Sequence, residues 1–600
     1  MRYLINFFIV FSSYSANCNT EPVKSDNNLS EMKKIFSDIS NNKFKMDSSN
    51  SAVFYKEKTP WTILGAVQKN TYHYKKSIQN PNLKPFNINI LNTPISSEKI
   101  LPFTYPIKNS NTTNTINIIT AGNEYEPFSF VITAGNSDIS SIKIKISDFT
   151  FDKNIISSEK IDIKIVKPWY QSGESIHRGI NGQKRLVPEL LLRNDNLIKV
   201  NNKHQVNLIR NYNNFVDSKE LKPFNIPKRT NKQIWGTFHT DTNTPPGIYT
   251  GNILIEYTIN NNILTTNLTM STTVLPFNLK EPAVEYALYY LARLNKQNKP
   301  VISSRSKSIS QIKHELLDMK KHGLTNVALD YGRDKNIDGT ANMLPFYQVA
   351  NIAKNTFNQT DFLFVDWHME NYNDKNLYKS KLQLIKDTIE PLGYSNIYIY
   401  NFDEAPINKI LSNKHTLVDA HELGLKNFSA TKPQYIPLLN NYFDIFVLHR
   451  DSMLSKKAAK YSGSEIWAYN DPQAGEEKPA LYRTAYGISL WLDYFSGSCN
   501  YAYQTGQPGW NDWADPKWRP HNMTYPTLST PISTLQWEGW REGIDDSRYL
   551  QVLISLYKPN QSLDREEWLE SIIGIPSNSN PKKLRSAIIK AINKFRKNIL

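Results

Sequence analysis

From about residue 110 the chain alternates apolar and polar side chains. TINIITA, FSFVITA, IKIKISDF, IDIKIVKPWY, QIWGTFHT, GIYTGNILIEYTI and LTTNLTMSTTVLPF follow one another with Gly, Pro and Asn between them. Successive side chains of a strand point to opposite faces, so a series of such runs predicts an antiparallel β-sandwich, over residues 106–279. TPPGIYTGN supplies a tight turn into one of its strands. After LKEPAV the period changes. Eight short strand-like runs, EYALYYLAR, LTNVALDYG, DFLFVDWH, NIYIYNFDE, KNFSATK, FDIFVLHR, EIWAYN and SCNYAYQTG, are mostly separated by helical stretches such as SISQIKHELLDMKKHG and NLYKSKLQLIKDTIEPLG. Eight strand–helix units predict a (β/α)8 barrel over residues 280–525. Beyond 526, ISTLQWEGWREGIDDSRYLQVLISLY and NPKKLRSAIIKAINKFRKNI repeat every 3.6 residues, which predicts C-terminal helices packed on the barrel.

The first 18 residues run from Arg2 through the apolar LINFFIVF to the small and polar SSYSANC, the pattern of an export signal too short to span a bilayer. Cys18 stands where a bacterial lipoprotein carries its acylated cysteine, preceded by Asn17 rather than a small residue. The expected location is therefore periplasmic, extracellular or lipid-anchored at the cell surface. Residues 19–105 form a low-complexity tether and N-terminal segment, rich at first in Ser, Asn, Lys and Asp with few large apolar side chains. The only other cysteine, Cys499, leaves no cysteine cluster for zinc and no expected disulfide. The 600 residues, 40% hydrophobic and 12% aromatic, suffice for two or three cores. A net charge of +16 without an Arg-rich stripe or nucleic-acid motif argues against a nucleic-acid partner and is compatible with acidic glycans or with simple solubility.

The chemistry concentrates in YIYNFDEAP. A strand rich in β-formers runs into Asp403 and Glu404, and the Ala-Pro that follows cannot continue a central strand. Barrel enzymes hold their catalytic groups at such carboxyl ends. Adjacent carboxylates repel, which tends to leave one protonated acid beside one charged base, a division suited to cleaving a glycosidic bond. The same two residues are equally compatible with a solvated cap on the next helix. The other strand ends offer Asp330 and Tyr331; Asp366, Trp367 and His368; His449 and Arg450; Tyr469, Asn470 and Asp471; and Tyr503 and Gln504. Hydroxyl-binding groups mixed with aromatic faces suit a sugar pocket, although each residue alone fits ordinary loop chemistry. GQPGWNDWADPKW adds Trp510, Trp513, Trp518, Asp512 and Asp515, either lining the pocket or sealing the loop onto the C-terminal helices. Arg541, Glu542, Asp545 and Asp546 read as ties between helices. With no ligand triplet at the strand ends, neither a metal nor an organic cofactor is expected.

Taken together, the Asp403–Glu404 pair, the segment with Trp510, Trp513 and Trp518, and the run of TYP, PIS and WREGIDDSRYL resemble glycoside hydrolase family 123, the β-N-acetylgalactosaminidases. GNEYEPFSFVIT and PPGIYTGNI resemble the family's N-terminal region, so the likeness covers roughly residues 110–557. It implies a retaining hydrolysis in which the 2-acetamido oxygen of the sugar is the nucleophile. On that analogy Asp403 polarises the acetamido group, while Glu404 protonates the leaving oxygen and then activates water. The alternatives are a glycosidase of the same barrel acting on another glycan unit, and a carbohydrate-binding surface protein without catalysis.

Overall fold

The computed structural model describes residues 61–64, 77–80, 82–172, 184–202, 205–331, 334–335, 340–367, 374–505, 510, 521–559 and 562–597. The leader, Cys18, His368, Asp512, Trp513, Asp515 and Trp518 lie outside them.

Two sheets stack face to face in the N-terminal part. One has six strands, in the order Lys184–Leu192, Ile161–Ser172, Asn231–Thr240, Glu124–Ala134, Phe86–Leu91 and Ser110–Asn111. The other is built on the long hairpin Gly247–Ile259 with Asn262–Asn278. Burial along the first hairpin strand alternates as its sequence does, and the inward residues meet Phe128, Phe130, Ile165 and Phe238 in one core. Two features differ from expectation. Asn262–Asn278 pairs in parallel with Thr115–Gly122, so the sandwich is mixed rather than purely antiparallel. Phe86–Leu91 pairs with Glu124–Ala134, so a sandwich strand lies inside the stretch assigned to tether and N-terminal segment. Six residues of FNINIL amid Asn, Lys and Pro are too short a run to stand out from polar surroundings.

The second part is a closed barrel of eight parallel strands: β1 Glu285–Tyr290, β2 Asn326–Asp330, β3 Asp361–Val365, β4 Asn396–Asp403, β5 Lys426–Ala430, β6 Ile445–His449, β7 Glu465–Tyr469 and β8 Gly497–Asn500. The outer layer includes α1 Ile309–Lys321, α2 Leu344–Phe357, α3 Lys375–Ile389 and α4 His415–Glu422. In β4, Ile397 and Ile399 face the helices while Tyr398 and Tyr400 enter an interior filled by Tyr289, Leu363, Phe428, Val447 and Trp467. A filled interior leaves the strand ends as the place for a site.

A long helix, α5 Leu535–Tyr557, joins barrel to sandwich, and α6 Pro581–Lys597 crosses it. Tyr549 donates to Glu124 Oε2 at 2.7 Å. Arg585 reaches Asp546 at 2.5 Å and Glu126 at 2.9 Å, and Arg483 takes the other side of Asp546 at 2.8 Å. Arg541 pairs with Glu538, and Glu542 is engaged by both Arg483 and Arg585. Beside this buried charge cluster, Ser547 Oγ accepts from the Ala283 N–H just before β1, so this part of α5 sits by the amino end of that strand. A second seam gathers on Glu189, which accepts from Trp169, Gln171 and Gln536 at 2.6, 2.8 and 2.6 Å.

Candidate active site

The local fold of β4 decides where the acidic pair points. Between Tyr400 and Asp403 this strand advances three residues while β5 advances two, from Phe428 to Ala430. The surplus is a β-bulge. Asn401 and Phe402 consequently both face outward, Asn401 bonded to Tyr378 and Asn427 and Phe402 packed on Phe443. The Phe402 N–H displaced from the ladder donates instead to Ser429 Oγ at 3.1 Å. Unbroken alternation after Tyr400 would have sent Asp403 outward. The bulge returns it to the interior side, where Tyr400 donates to Asp403 Oδ1 at 2.7 Å.

Glu404 then takes a left-handed conformation, φ 46°, which costs a non-glycine residue about 1 kcal/mol, and its N–H bonds to Ala430 O at 3.0 Å. The turn swings its side chain away from Asp403 toward β6 and β7. Tyr469 donates to Glu404 Oε1, and His449 Nε2 stands 3.8 Å from the same oxygen. Burial foremost, then Glu404 itself, hold the Tyr469 phenol far above its ordinary range, so it remains a neutral donor. Asn470 and Asp471 leave β7 with φ of 61° and 52°, folding back so that Asp471 Oδ2 lies 3.6 Å from His449 Nδ1. Asp471, then Glu404, raise the pKa of His449 against the opposing effect of burial, and His449 in turn lowers that of Asp471.

Beside Asp403 lies an aromatic cluster. The Trp367 ring is 5.5 Å from Tyr289, 5.4 Å from Tyr400 and 5.6 Å from Tyr501, an arrangement able to receive the C–H face of a pyranose. At the neighbouring strand ends, Asp330 is bound by Arg293 at 2.7 Å and Asp366 by Lys381. Burial raises the Asp330 pKa, with Arg293 opposing.

The structure therefore brings together Asp403, Glu404, Trp367, His449, Tyr469 and Asn470 from the expected set, with Asp330 and Asp366 as ion-paired neighbours. Three expected pocket residues lie elsewhere. Tyr331 is buried between barrel and helix against Phe346 and Phe364, because it follows β2 on the outward side. Tyr503 is in the core, donating to Asp318 on α1 at 2.8 Å. Trp510 is fully buried against Trp169, Phe215 and Tyr525, sealing barrel to sandwich rather than lining a pocket. The contributions of Tyr289, Tyr400, Tyr501 and Asp471 escaped the sequence reading, which had noted Asp471 only as part of a strand end. Among the described residues no group of three or more His, Cys, Asp or Glu is arranged to hold a metal.

No protein-family model matches the chain, and no curated protein does. Among solved structures it is similar to a family 123 glycoside hydrolase from Clostridium perfringens, studied for the details of glycolipid glycan hydrolysis. The identity is 16%, 86% of this chain and 99% of that chain are covered, and the TM-score is 0.61. A β-glucuronidase from Bacteroides uniformis, at 8% identity over 71% of this chain and 51% of its own, reaches a TM-score of only 0.31. The chain thus shares its fold, an N-terminal sandwich followed by a (β/α)8 barrel and C-terminal helices, with a family 123 glycoside hydrolase.

Proposed function

We propose that the protein is an exported glycoside hydrolase that releases terminal β-linked N-acetylhexosamine, N-acetylgalactosamine foremost, by a retaining mechanism assisted by the substrate. The observation that carries this reading is the divergence of two consecutive carboxylates at the barrel mouth, Asp403 onto Tyr400 and Glu404 onto Tyr469. A conventional retaining pair faces the anomeric carbon from two sides, about 5–5.5 Å apart. Asp403 and Glu404 instead turn to different partners, on β4 and β7. The other carboxylates considered at the described strand ends, Asp330, Asp366 and Asp471, are engaged by Arg293, Lys381 and His449. The resemblance to family 123 implies that the nucleophile is the sugar's own 2-acetamido oxygen. The shared fold with the Clostridium perfringens hydrolase supports a glycan as substrate.

In this mechanism the acetamido oxygen attacks the anomeric carbon as the glycosidic bond breaks, forming an oxazolinium-like ring. Asp403, fixed by Tyr400, accepts the acetamide N–H and offsets the positive charge that develops. Glu404 Oε1 is held by Tyr469, which leaves Oε2 to give its proton to the departing oxygen. The resulting carboxylate then takes a proton from the water that opens the ring. Trp367 and its neighbours supply a face for stacking the sugar.

The test is a series of aryl glycosides with and without the 2-acetamido group. A 2-hydroxyl analogue should scarcely react and a thiazoline mimic of the intermediate should inhibit. Glu404→Gln should cripple substrates with poor leaving groups far more than activated ones. Asp403→Asn should slow all of them alike, by about two orders of magnitude for a charge worth roughly 3 kcal/mol. Rapid hydrolysis of the 2-hydroxyl compound, or a glycosyl ester trapped on either carboxylate, would falsify substrate assistance. Export, with acylation at Cys18 as the means of anchoring, is proposed from the leader alone and is tested by fractionation and fatty-acid labelling of a Cys18→Ser variant.

A further inference from the structure

Three side chains from three strand ends stand in line across the barrel mouth: Asp471 after β7, His449 closing β6, and Glu404 after β4. His449 Nδ1 lies 3.6 Å from Asp471 Oδ2 and 3.3 Å from the Asn470 side-chain amide nitrogen, and Nε2 lies 3.8 Å from Glu404 Oε1. A neutral imidazole giving its Nδ1–H to one carboxylate turns a lone pair toward the other, whereas an imidazolium is attracted to both. The arrangement is made deliberately by the backbone, since two consecutive non-glycine residues, Asn470 and Asp471, adopt left-handed conformations to bring Asp471 back over His449.

We propose that the Asp471–His449 pair is a positioning device for Glu404, an anchored imidazolium that stabilises the carboxylate left when Glu404 has given up its proton. It rests on the reading of Glu404 as the acid–base group, and adds to that reading what sets the strength of the acid. No proton passes through His449 in this scheme. Glu404 loses its proton to the leaving oxygen and regains one from water, while His449 keeps both of its own. The same Glu404 oxygen is therefore faced by two different partners, the neutral Tyr469 hydroxyl and a cation.

The charged and titratable surroundings of His449 agree with this role. Glu404 faces it from β4 and Asp471 from the turn after β7, with the Tyr469 ring 4.5 Å away. Arg450, the residue after β6, is turned to Ala485 O, Asp451 and Asp493. The raised pKa of His449, owed first to Asp471 and further supported by Glu404, follows from the same geometry. The side chains of His449 and Glu404 are 46% and 56% exposed, so solvent screens their attraction and keeps the expected effect modest.

The experiment is the pH dependence of kcat/KM on an unactivated 2-acetamido glycoside, whose alkaline limb reports the acid that protonates the leaving oxygen. In His449→Gln, an uncharged donor at an exposed position, that limb should move upward by about one pH unit. Asp471→Asn, which keeps the imidazole but removes the negative charge beside Nδ1, should move the limb by less. A merely structural role would lower kcat and leave the profile where it was. A His449→Gln variant with native circular dichroism, reduced turnover and a profile superimposable on wild type would overturn the proposal. Failure of the underlying reading would look different, because Glu404→Gln would then lose its dependence on the leaving group.

Discussion

Tyr400 and Tyr469 do chemically distinct jobs although both are tyrosines donating to a carboxylate. Tyr400 serves the group that stays charged, Tyr469 the group that changes charge. Tyr400→Phe should therefore slow every substrate by roughly ten- to a hundredfold, the loss of one hydrogen bond to a charged acceptor. Tyr469→Phe should act mainly on substrates with poor leaving groups. A plot of log kcat/KM against leaving-group pKa separates the two, and equal slopes in both variants would sink the distinction. Asp403 and Glu404 were legible in the sequence because an acidic pair after a β-rich run is conspicuous. Their tyrosines were not, since YIYNF reads first as strand and the hydroxyl targets depend on which way each residue faces.

The bulge in β4 is the element on which the site turns. Its cost is contained by a single hydroxyl, that of Ser429, which takes the Phe402 N–H displaced from the ladder. Ser429→Ala should leave that buried donor without a partner and destabilise the protein by about 1–3 kcal/mol, read as a lower denaturant midpoint. If Asp403 loses its aim as well, turnover should fall further than the stability loss explains. An unchanged midpoint would show that the bulge does not depend on Ser429. The strands themselves were legible, because period and turn residues announce them over five or more positions. A one-residue surplus leaves no such trace, and neither does a single short strand such as Phe86–Leu91 within a polar segment.

Across the whole molecule, sandwich and barrel are joined through buried charge. Glu124 is fully buried, and its carboxyl is pushed up to about 7 by burial, with Arg585 opposing. An unfolded glutamate titrates near 4.5, so the folded state holds this proton more tightly. The stability it contributes is then fully present below pH 4.5 and is lost as pH rises through about 7, by at most about 3 kcal/mol. Wild type minus Glu124→Gln, compared by thermal unfolding at several pH values, should show that slope, and a flat difference would contradict it. Arg585→Ala should cost about 3 kcal/mol or more, because it removes the cation facing Glu126 and leaves Asp546 to Arg483 alone. Activity should survive dialysis against a chelator, since acid, base and nucleophile are all assigned to protein and sugar; a loss restored by a divalent ion would point to metal-assisted hydrolysis.

The sequence alone determined the order of architectures and the place of the acidic pair. Periodicity and turn chemistry are local properties, and they repeat often enough along each element to be read without contacts. Tertiary structure decided which expected pocket residues share a site. Trp510, Tyr503 and Tyr331 were drawn into seams and cores because large aromatic side chains gain more from burial than from a strand-end loop. It also decided that Asp471, sixty-eight positions beyond Asp403 and sixty-seven beyond Glu404 in the chain, stands in line with His449 and Glu404. Barrel closure brings distant strand ends together, and no spacing in the chain encodes which side chains then meet.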